Sequence, residues 1–389
     1  MGAIERLVKR RAHELGFDLV GITTSEPFQK EHDVTLQRIN EGLMDGLPWF
    51  TKERVALASE PERLLDGAKS IVTVGASYLS GASEPSRKGN YGKFARYALG
   101  RDYHKVMKTR LKSLVRTLET DLQRNIKSRI FVDDGPMLDR AVAQRSGLGW
   151  YGKNTNILSP SHGSWIVLGQ FITDLELEPD LPLKKTCGQC VSCIEICPTR
   201  AIVAPYVIDN DRCISYFTIE CRGPIPRDFR PLIGDWIFGC DLCQEICPVN
   251  RKAQFGSISE LHAATDHKSI DLITLLDLTD EGFLALFQGT AIMRAKRVGL
   301  QRNVCVALGN LGIIDAVPAL IKVLLEGEIL LKGHAAWALG RIGGCTAKQA
   351  MLETLNAERD PWVREEIEAA LQDIETTRTV HEDDLTAHQ

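Results

Sequence analysis

Several absences narrow what this 389-residue chain can be. No apolar run reaches the roughly 18 residues that a membrane-spanning helix needs, so an integral membrane protein is not expected. The opening segment, MGAIERLVKRRAHELGF, carries charges throughout where a secretory signal would hold an unbroken apolar stretch. It reads as an amphipathic helix of a cytoplasmic protein. A charge excess is also missing: 47 Lys and Arg stand against 51 Asp and Glu, for a net charge of -4. Attraction to a polyanion would therefore have to come from a local patch. Cysteine is scarce through most of the chain, with only Cys305 and Cys345 outside one short segment. Both fall on apolar helical patterns and read as small buried hydrophobes.

Inside that segment cysteine is dense. Cys187, Cys190, Cys193, Cys197, Cys213, Cys221, Cys240, Cys243 and Cys247 all lie between positions 187 and 247. Disulfides fit poorly with a cytosolic chain of this length, and the spacing is that of metal ligands. Cys187-x2-Cys190-x2-Cys193-x3-Cys197-Pro198 is the bacterial ferredoxin run, in which three thiolates hold one 4Fe–4S cubane and the fourth reaches across to a second. Cys240-x2-Cys243-x3-Cys247-Pro248 repeats it, with Ile237 where the first cysteine would stand. The missing ligand must come from Cys213 or Cys221. Cys213 is preferred for the apolar flank of DRCISY, whereas Cys221 sits beside Arg222 and Gly223 in a predicted loop. The expected sets are Cys187, Cys190, Cys193 and Cys247 on one cluster, and Cys197, Cys213, Cys240 and Cys243 on the other. Structural zinc also uses Cys-x2-Cys, but two Cys-x3-Cys-Pro endings that cross between runs are hard to reconcile with separate tetrahedral sites.

The flanks differ in character. Residues 1–174 alternate helical and strand patterns: SIVTVGASYL, RIFVDD and SWIVLGQFIT are β-branched apolar runs, and Met107, Leu111, Leu114, Leu118 and Leu122 recur at helical spacing. An α/β domain is expected, followed by a ferredoxin-like two-cluster module over 175–262. Its loops RYALGRDYH, VDDGP and GLGWYGKNTN suit close approach to a cofactor, although GLGWYG does not follow a strand as a dinucleotide fingerprint would. From 263 to 389 the pattern is helical and repetitive. RNVCVALGNLG (302–312) aligns with GHAAWALGRIG (333–343), and VREEIEAAL (363–371) follows at a similar interval, which predicts HEAT-like helix pairs with a disordered tail from about 376. At the entrance, Arg294, Lys296, Arg297 and Arg302 form a basic segment suited to phosphate contact.

The order of RYALGRDYH, VDDGP, GLGWYGKN, the ferredoxin cysteines with the offset Cys213, RCISYFTIE, GCDLCQEICPVNR and RNVCVALGNLG resembles the epoxyqueuosine reductase family along nearly the whole chain. The resemblance implies a cobalamin enzyme that reduces the epoxide of epoxyqueuosine at the wobble position of tRNA. That family is itself similar to reductive dehalogenases, which pair a corrinoid with two cubanes. It further implies that Asp133 is the proton donor and that Arg96, Tyr97, Gly152, Lys153 and Asn154 lie on loops around the corrin. The Asp-x-His-x-x-Gly signature is missing at DYHKVM, so His104 is expected to be a wall residue and not a cobalt ligand. Strand alternation is expected to send Asp133 and Asp134 to opposite faces. A monomer fed by an external single-electron donor completes the expectation. The rival readings are a reductive dehalogenase, disfavoured by the missing export signal and the helical repeats, and an electron-transfer scaffold without an active-site pocket.

Overall fold

The computed structural model describes residues 2–81, 90–263 and 270–386, with side chains to 376. Its N-terminal part is built on a four-stranded sheet of β1 (Leu19–Thr24), β2 (Ser70–Ser77), β3 (Ser128–Phe131) and β4 (Ile166–Thr173), ordered β1-β2-β4-β3. Every pairing in it is antiparallel. Helices α1 (Ala3–Glu14) and α2 (Tyr103–Leu122) pack on one face, where Val8, Ala12, Val72, Val74, Leu111 and Leu114 share a core. Helix α3 (Asp139–Arg145) covers the other, with Ile71, Phe131, Ala141, Val142 and Ile172.

The layers are those of the expected α/β domain, and the strand direction, on which the sequence pattern was silent, is antiparallel throughout. The central strand β2 is buried at all eight positions. A strand covered on both faces reads as an uninterrupted apolar run whether its neighbours are parallel or not, so the run carries no directional signal. Helix α2 forms as its periodicity predicts: Met107, Leu111, Leu114 and Leu118 are fully buried, and the Asp102 side chain caps its first turn by accepting from the His104 N–H.

Each cysteine run contains one short helix, α4 (Ser192–Glu195) and α5 (Leu242–Glu245), and the two pack together. A π-helical turn, Tyr216–Glu220, follows Cys213. The strand Trp236–Phe238 pairs in parallel with Lys93–Phe94, tying the cysteine module to the loop before α2.

Five helices complete the chain: α6 (Lys296–Leu311), α7 (Val317–Glu326), α8 (Ile329–Ile342), α9 (Cys345–Ala357) and α10 (Pro361–Thr386). The repeat motif forms the inner helices α6, α8 and α10, which stack side by side. Its glycines mark the crossings. A Cβ on Gly309 would lie 3.0 Å from the Ala338 Cα, and one on Gly340 would lie 2.9 Å from the Ala370 Cα.

One apolar core runs from Phe94 through Phe217 and Trp236 to Phe238 and on into the repeats as far as Leu371. The change of architecture near residue 262 is therefore not a break in packing. Cys305 is fully buried, as expected. Cys345 is not: it opens α9 directly after Gly343 and Gly344 and is exposed, because a first-turn position lies beyond the packed face. The backbone from 376 onward, expected to be disordered, continues α10 to Thr386, and residues 387–389 lie outside the described part.

Candidate active site

The site is built around the turn that follows β3. Asp133 has a φ of 53°, a left-handed conformation that costs a non-glycine residue strain and that aspartate tolerates better than most. Its carboxylate accepts a 2.5 Å hydrogen bond from the Tyr103 hydroxyl, at the start of α2. Burial first, and then the Asp133 charge, pushes the Tyr103 hydroxyl far above its ordinary range, so it stays a donor. Asp134 turns away, accepting from the Val132 N–H and pairing with Lys108. The two acids do diverge, but the left-handed Asp133 separates them, since β3 has already ended at Phe131.

The Asp133 N–H points at Asp139, 3.4 Å from its Oδ1, and the same oxygen accepts from Gln170 Nε2 at 2.6 Å. Burial and the Asp133 charge raise the Asp139 carboxyl to about 6. The sequence offered one weak signal for this residue, a third acid six positions after Asp133. Tyr103 lay inside a quoted motif, but nothing in the pattern assigned it a role.

Aromatic rings link this turn to the cysteines. Tyr103 meets Tyr97 edge-on at 6.0 Å between centroids, Tyr97 meets Tyr78 at 6.4 Å, and the Tyr78 hydroxyl donates to Gln244, one residue beyond Cys243. The residues expected around a corrin converge here. Arg96 donates its backbone N–H to Asp241 at 2.8 Å, and its guanidinium lies 3.2 Å from Glu245 and above the Trp165 ring. Asn154 is buried and donates to the Cys243 carbonyl. Lys153 reaches the Gly188 carbonyl at 2.8 Å. Gly152, beside them, sits where a Cβ would strike the Asn154 Oδ1 at 2.5 Å. His104 stacks on Tyr103 and is bonded to Asp102, the cap of its own helix.

The cysteines fall into two neighbourhoods. Burial raises the Cys193 thiol, and the negative charges of Cys187, Cys247 and Cys190 add to it; Cys190 is itself lowered by hydrogen bonds from Ser192. Burial also raises Cys240, Cys243 and Cys213; Cys240 further feels Cys213 and Cys243, Cys213 feels Cys197, and Cys243 feels Cys213 and Cys197 and also Cys193 of the first neighbourhood, which it adjoins. Among the described residues no three His, Cys, Asp or Glu side chains converge as they would around one ion with metal–sulfur bonds of about 2.3 Å. Cys221 ends the π-helical turn, and its carbonyl accepts from Arg302.

The basic segment divides. Arg302 is 1% exposed, and its guanidinium is filled by the carbonyls of Phe217, Cys221 and Gly223 and by Asn303. It cannot meet a phosphate, which corrects the expectation. The reason is its place on α6, which is sandwiched between the cysteine module and the next repeat, with every residue from Leu300 to Gly309 buried. Arg297 is bound to Asp280, Glu328 and Gln301. Lys296 is exposed, and Arg294 is exposed, bonded to Glu220 and set 5.3 Å from the Trp49 ring centroid.

Residues 186–250 match the family model of a 4Fe–4S double cluster binding domain, and 290–372 match HEAT repeats. Residues 59–134, ending just past Asp133, match the model described as epoxyqueuosine reductase QueG. The epoxyqueuosine reductase of Shigella dysenteriae is 38% identical over 339 residues, which cover 86% of this chain and 88% of that protein. The chain belongs to the epoxyqueuosine reductase family. The Escherichia coli epoxyqueuosine reductase is 37% identical over 88% of this chain and 90% of its own. The fold is shared as well. A crystal structure of an epoxyqueuosine reductase with an epoxyqueuosine-modified tRNA-Tyr stem loop superposes with a TM-score of 0.90 at 31% identity, covering 96% of this chain and 99% of that one. The Streptococcus thermophilus epoxyqueuosine reductase gives 0.86 at 29%, covering 95% and 98%.

Proposed function

We propose that this chain reduces the epoxide of epoxyqueuosine in tRNA to queuosine, a two-electron, two-proton reaction that releases the epoxide oxygen as water. The observation that carries the reading is the run of contacts from Asp133 through Tyr103, Tyr97 and Tyr78 to Gln244, next to Cys243, in a chain that belongs to this family.

Two cubanes would be held by Cys187, Cys190, Cys193 and Cys247, and by Cys197, Cys213, Cys240 and Cys243. Thiolates are the donors such clusters take, and their grouping in two loose sets fits a cubane better than a lone ion. Arg96, Tyr97, Gly152, Lys153 and Asn154 would border cobalamin. A buried donor nearby supports the fit: the Trp150 indole N–H, in the same loop, has no partner among the described residues, and the corrin periphery is rich in amide carbonyls. When bound, cobalamin supplies a centre that gathers single electrons and breaks a carbon–oxygen bond. The protein's part is the proton. Asp133, held by Tyr103, is the donor to the leaving oxygen, and the neutral tyrosine keeps its carboxyl aimed.

Arg294 and Lys296 are the remaining candidates for phosphate contact, with Trp49 beside Arg294 as a surface on which an unpaired base can stack. The chain would act as a cytoplasmic monomer supplied by an external single-electron donor. The test is anaerobic incubation of the reconstituted protein with cobalamin, a reductant and epoxyqueuosine-containing tRNA, followed by nucleoside analysis. Conversion to queuosine that requires both corrinoid and clusters is expected. Intact epoxide after full cofactor loading would overturn the reading.

A further inference from the structure

Behind the Asp133 turn lies a second carboxyl that the proton-donor role alone does not call for. Asp139 opens α3 and is enclosed from three directions. From the β3 turn comes Asp133, whose N–H it accepts at 3.4 Å. From β4 comes Gln170, fully buried at the centre of the sheet, whose Nε2 donates at 2.6 Å. From α2 comes Tyr103, whose hydroxyl feels the charges of both Asp133 and Asp139. Among the described residues no cation is hydrogen-bonded to either carboxyl: Lys108 is engaged with Asp134, Arg140 with Thr155, Arg54 with the Gly135 carbonyl, and Arg294, whose charge reaches Asp133, with Glu220. The two carboxyls therefore act on each other through charge without an ion-pair partner on either among the described residues, an arrangement in which both cannot be ionised cheaply.

Gln170 supplies the second observation. Its Oε1 is buried and has no hydrogen-bond partner among the described residues. With Asp139 ionised, the amide offers N–H and leaves its carbonyl idle. With Asp139 protonated, rotation of the amide by half a turn lets the carbonyl accept the acid's O–H. A glutamine serves both states of its neighbour, which an alkyl, lysine or arginine side chain at this place would not.

We propose that Asp139 is a positioning residue for the proton donor: it holds the backbone of the Asp133 turn and, by its charge, makes the Asp133–Asp139 pair retain one shared proton that Gln170 accommodates in either location. The step is a plain proton transfer. The Asp133 O–H bond breaks, a bond to the leaving oxygen forms, and the pair, then doubly charged, regains a proton from water. The inference rests on Asp133 as donor, and it belongs to the pair as a unit, since coupled acids titrate together.

Infrared pH titration of the full-length, cluster-loaded chain reads the pair without any turnover. The wild type is expected to show a protonated-carboxyl band that titrates near neutrality, absent in Asp139→Asn and moved to lower pH in Asp133→Asn. A band that Asp133→Asn leaves in place, or that survives in Asp139→Asn, overturns the proposal. The pH profile of epoxide loss gives the second readout. Asp139→Asn is expected to lower the rate about tenfold more on the alkaline side than on the acid side, because the acid that titrates in that range is gone from behind the donor turn. Asp139→Glu is expected to restore the wild-type profile. A loss uniform across pH would mark a merely structural residue and overturn the proposal. Should Asp139→Asn not fold, Gln170→Leu removes the amide and is expected to move the infrared band to higher pH; an unmoved band counts against the pair. If the wild type converts no epoxide while the band behaves as described, the shared proton stands and the functional reading fails.

Discussion

Asp133 combines a strained backbone with a short hydrogen bond, and the two have the same effect of fixing where one carboxyl points. Asp133→Asn keeps the shape and removes the proton. We expect it to retain both clusters and corrinoid by optical spectroscopy while queuosine formation falls roughly a hundredfold to ten-thousandfold; near-normal turnover would end the donor role. Asp139 makes a separate prediction about stability. Its carboxyl titrates at about 6 in the folded chain against an ordinary 3.8, so between these values the folded state holds more protons than the unfolded one. The raised value makes its contribution full below the unfolded value and lost as pH rises through the folded one. Urea denaturation across that window should show stability falling with pH in the wild type and flattening in Asp139→Asn. At this scale the sequence was uneven. Cysteine spacing carries its own geometry, so a double-cluster domain was legible over this segment. Arg302 was not, because a guanidinium sealed by main-chain carbonyls looks in sequence like any cation of a solvated run. Asp139 acquires its character only when β4 brings Gln170 against it.

Among the elements, the inner helices of the repeats show what the recurring Ala-Leu-Gly is for. In an isolated helix, replacing an interior glycine by alanine stabilises by about 0.5–1 kcal/mol. At Gly340 the new Cβ would sit 2.8 Å from the Ala370 Cβ and 2.9 Å from its Cα, and backbone does not move aside as a flexible side chain would. Gly340→Ala is therefore expected to destabilise, by about 1–3 kcal/mol, a reversal of sign that thermal denaturation will read. The period of the repeat and the periodicity of α2 were plain in the sequence, since each is a local pattern. The antiparallel order of the sheet was not, because the doubly covered β2 and β4 show the same apolar runs either way, and β1 gave too short a signal to stand out.

Taken whole, the molecule has more than one core but no clean seam between cysteine module and repeats. Besides the shared apolar packing, Arg302, Asn303 and Asn310 on α6 saturate carbonyls of residues 217–237, and the buried Arg230 pairs with Glu366 of α10 at 2.5 Å. Expressed alone, residues 290–372 would leave those buried polar groups unmatched. Circular dichroism of that fragment should show no cooperative melt; a sharp transition would refute the dependence. Binding of tRNA is also a property of the whole surface. Arg294→Glu should weaken it and reduce the slope of log affinity against log salt by about one, whereas Arg297→Glu, already facing Asp280 and Glu328, should change the slope less. Equal effects would show that the ion pairs open on binding.

The guanidinium plug of α6 also limits how this architecture can be rearranged. A solenoid borrowed from another protein could not be spliced on as a cassette. Its first inner helix would have to arrive with arginine and asparagine in adjacent places and a second asparagine two turns later, or the main chain leading to Cys240 would be left with carbonyls facing nothing.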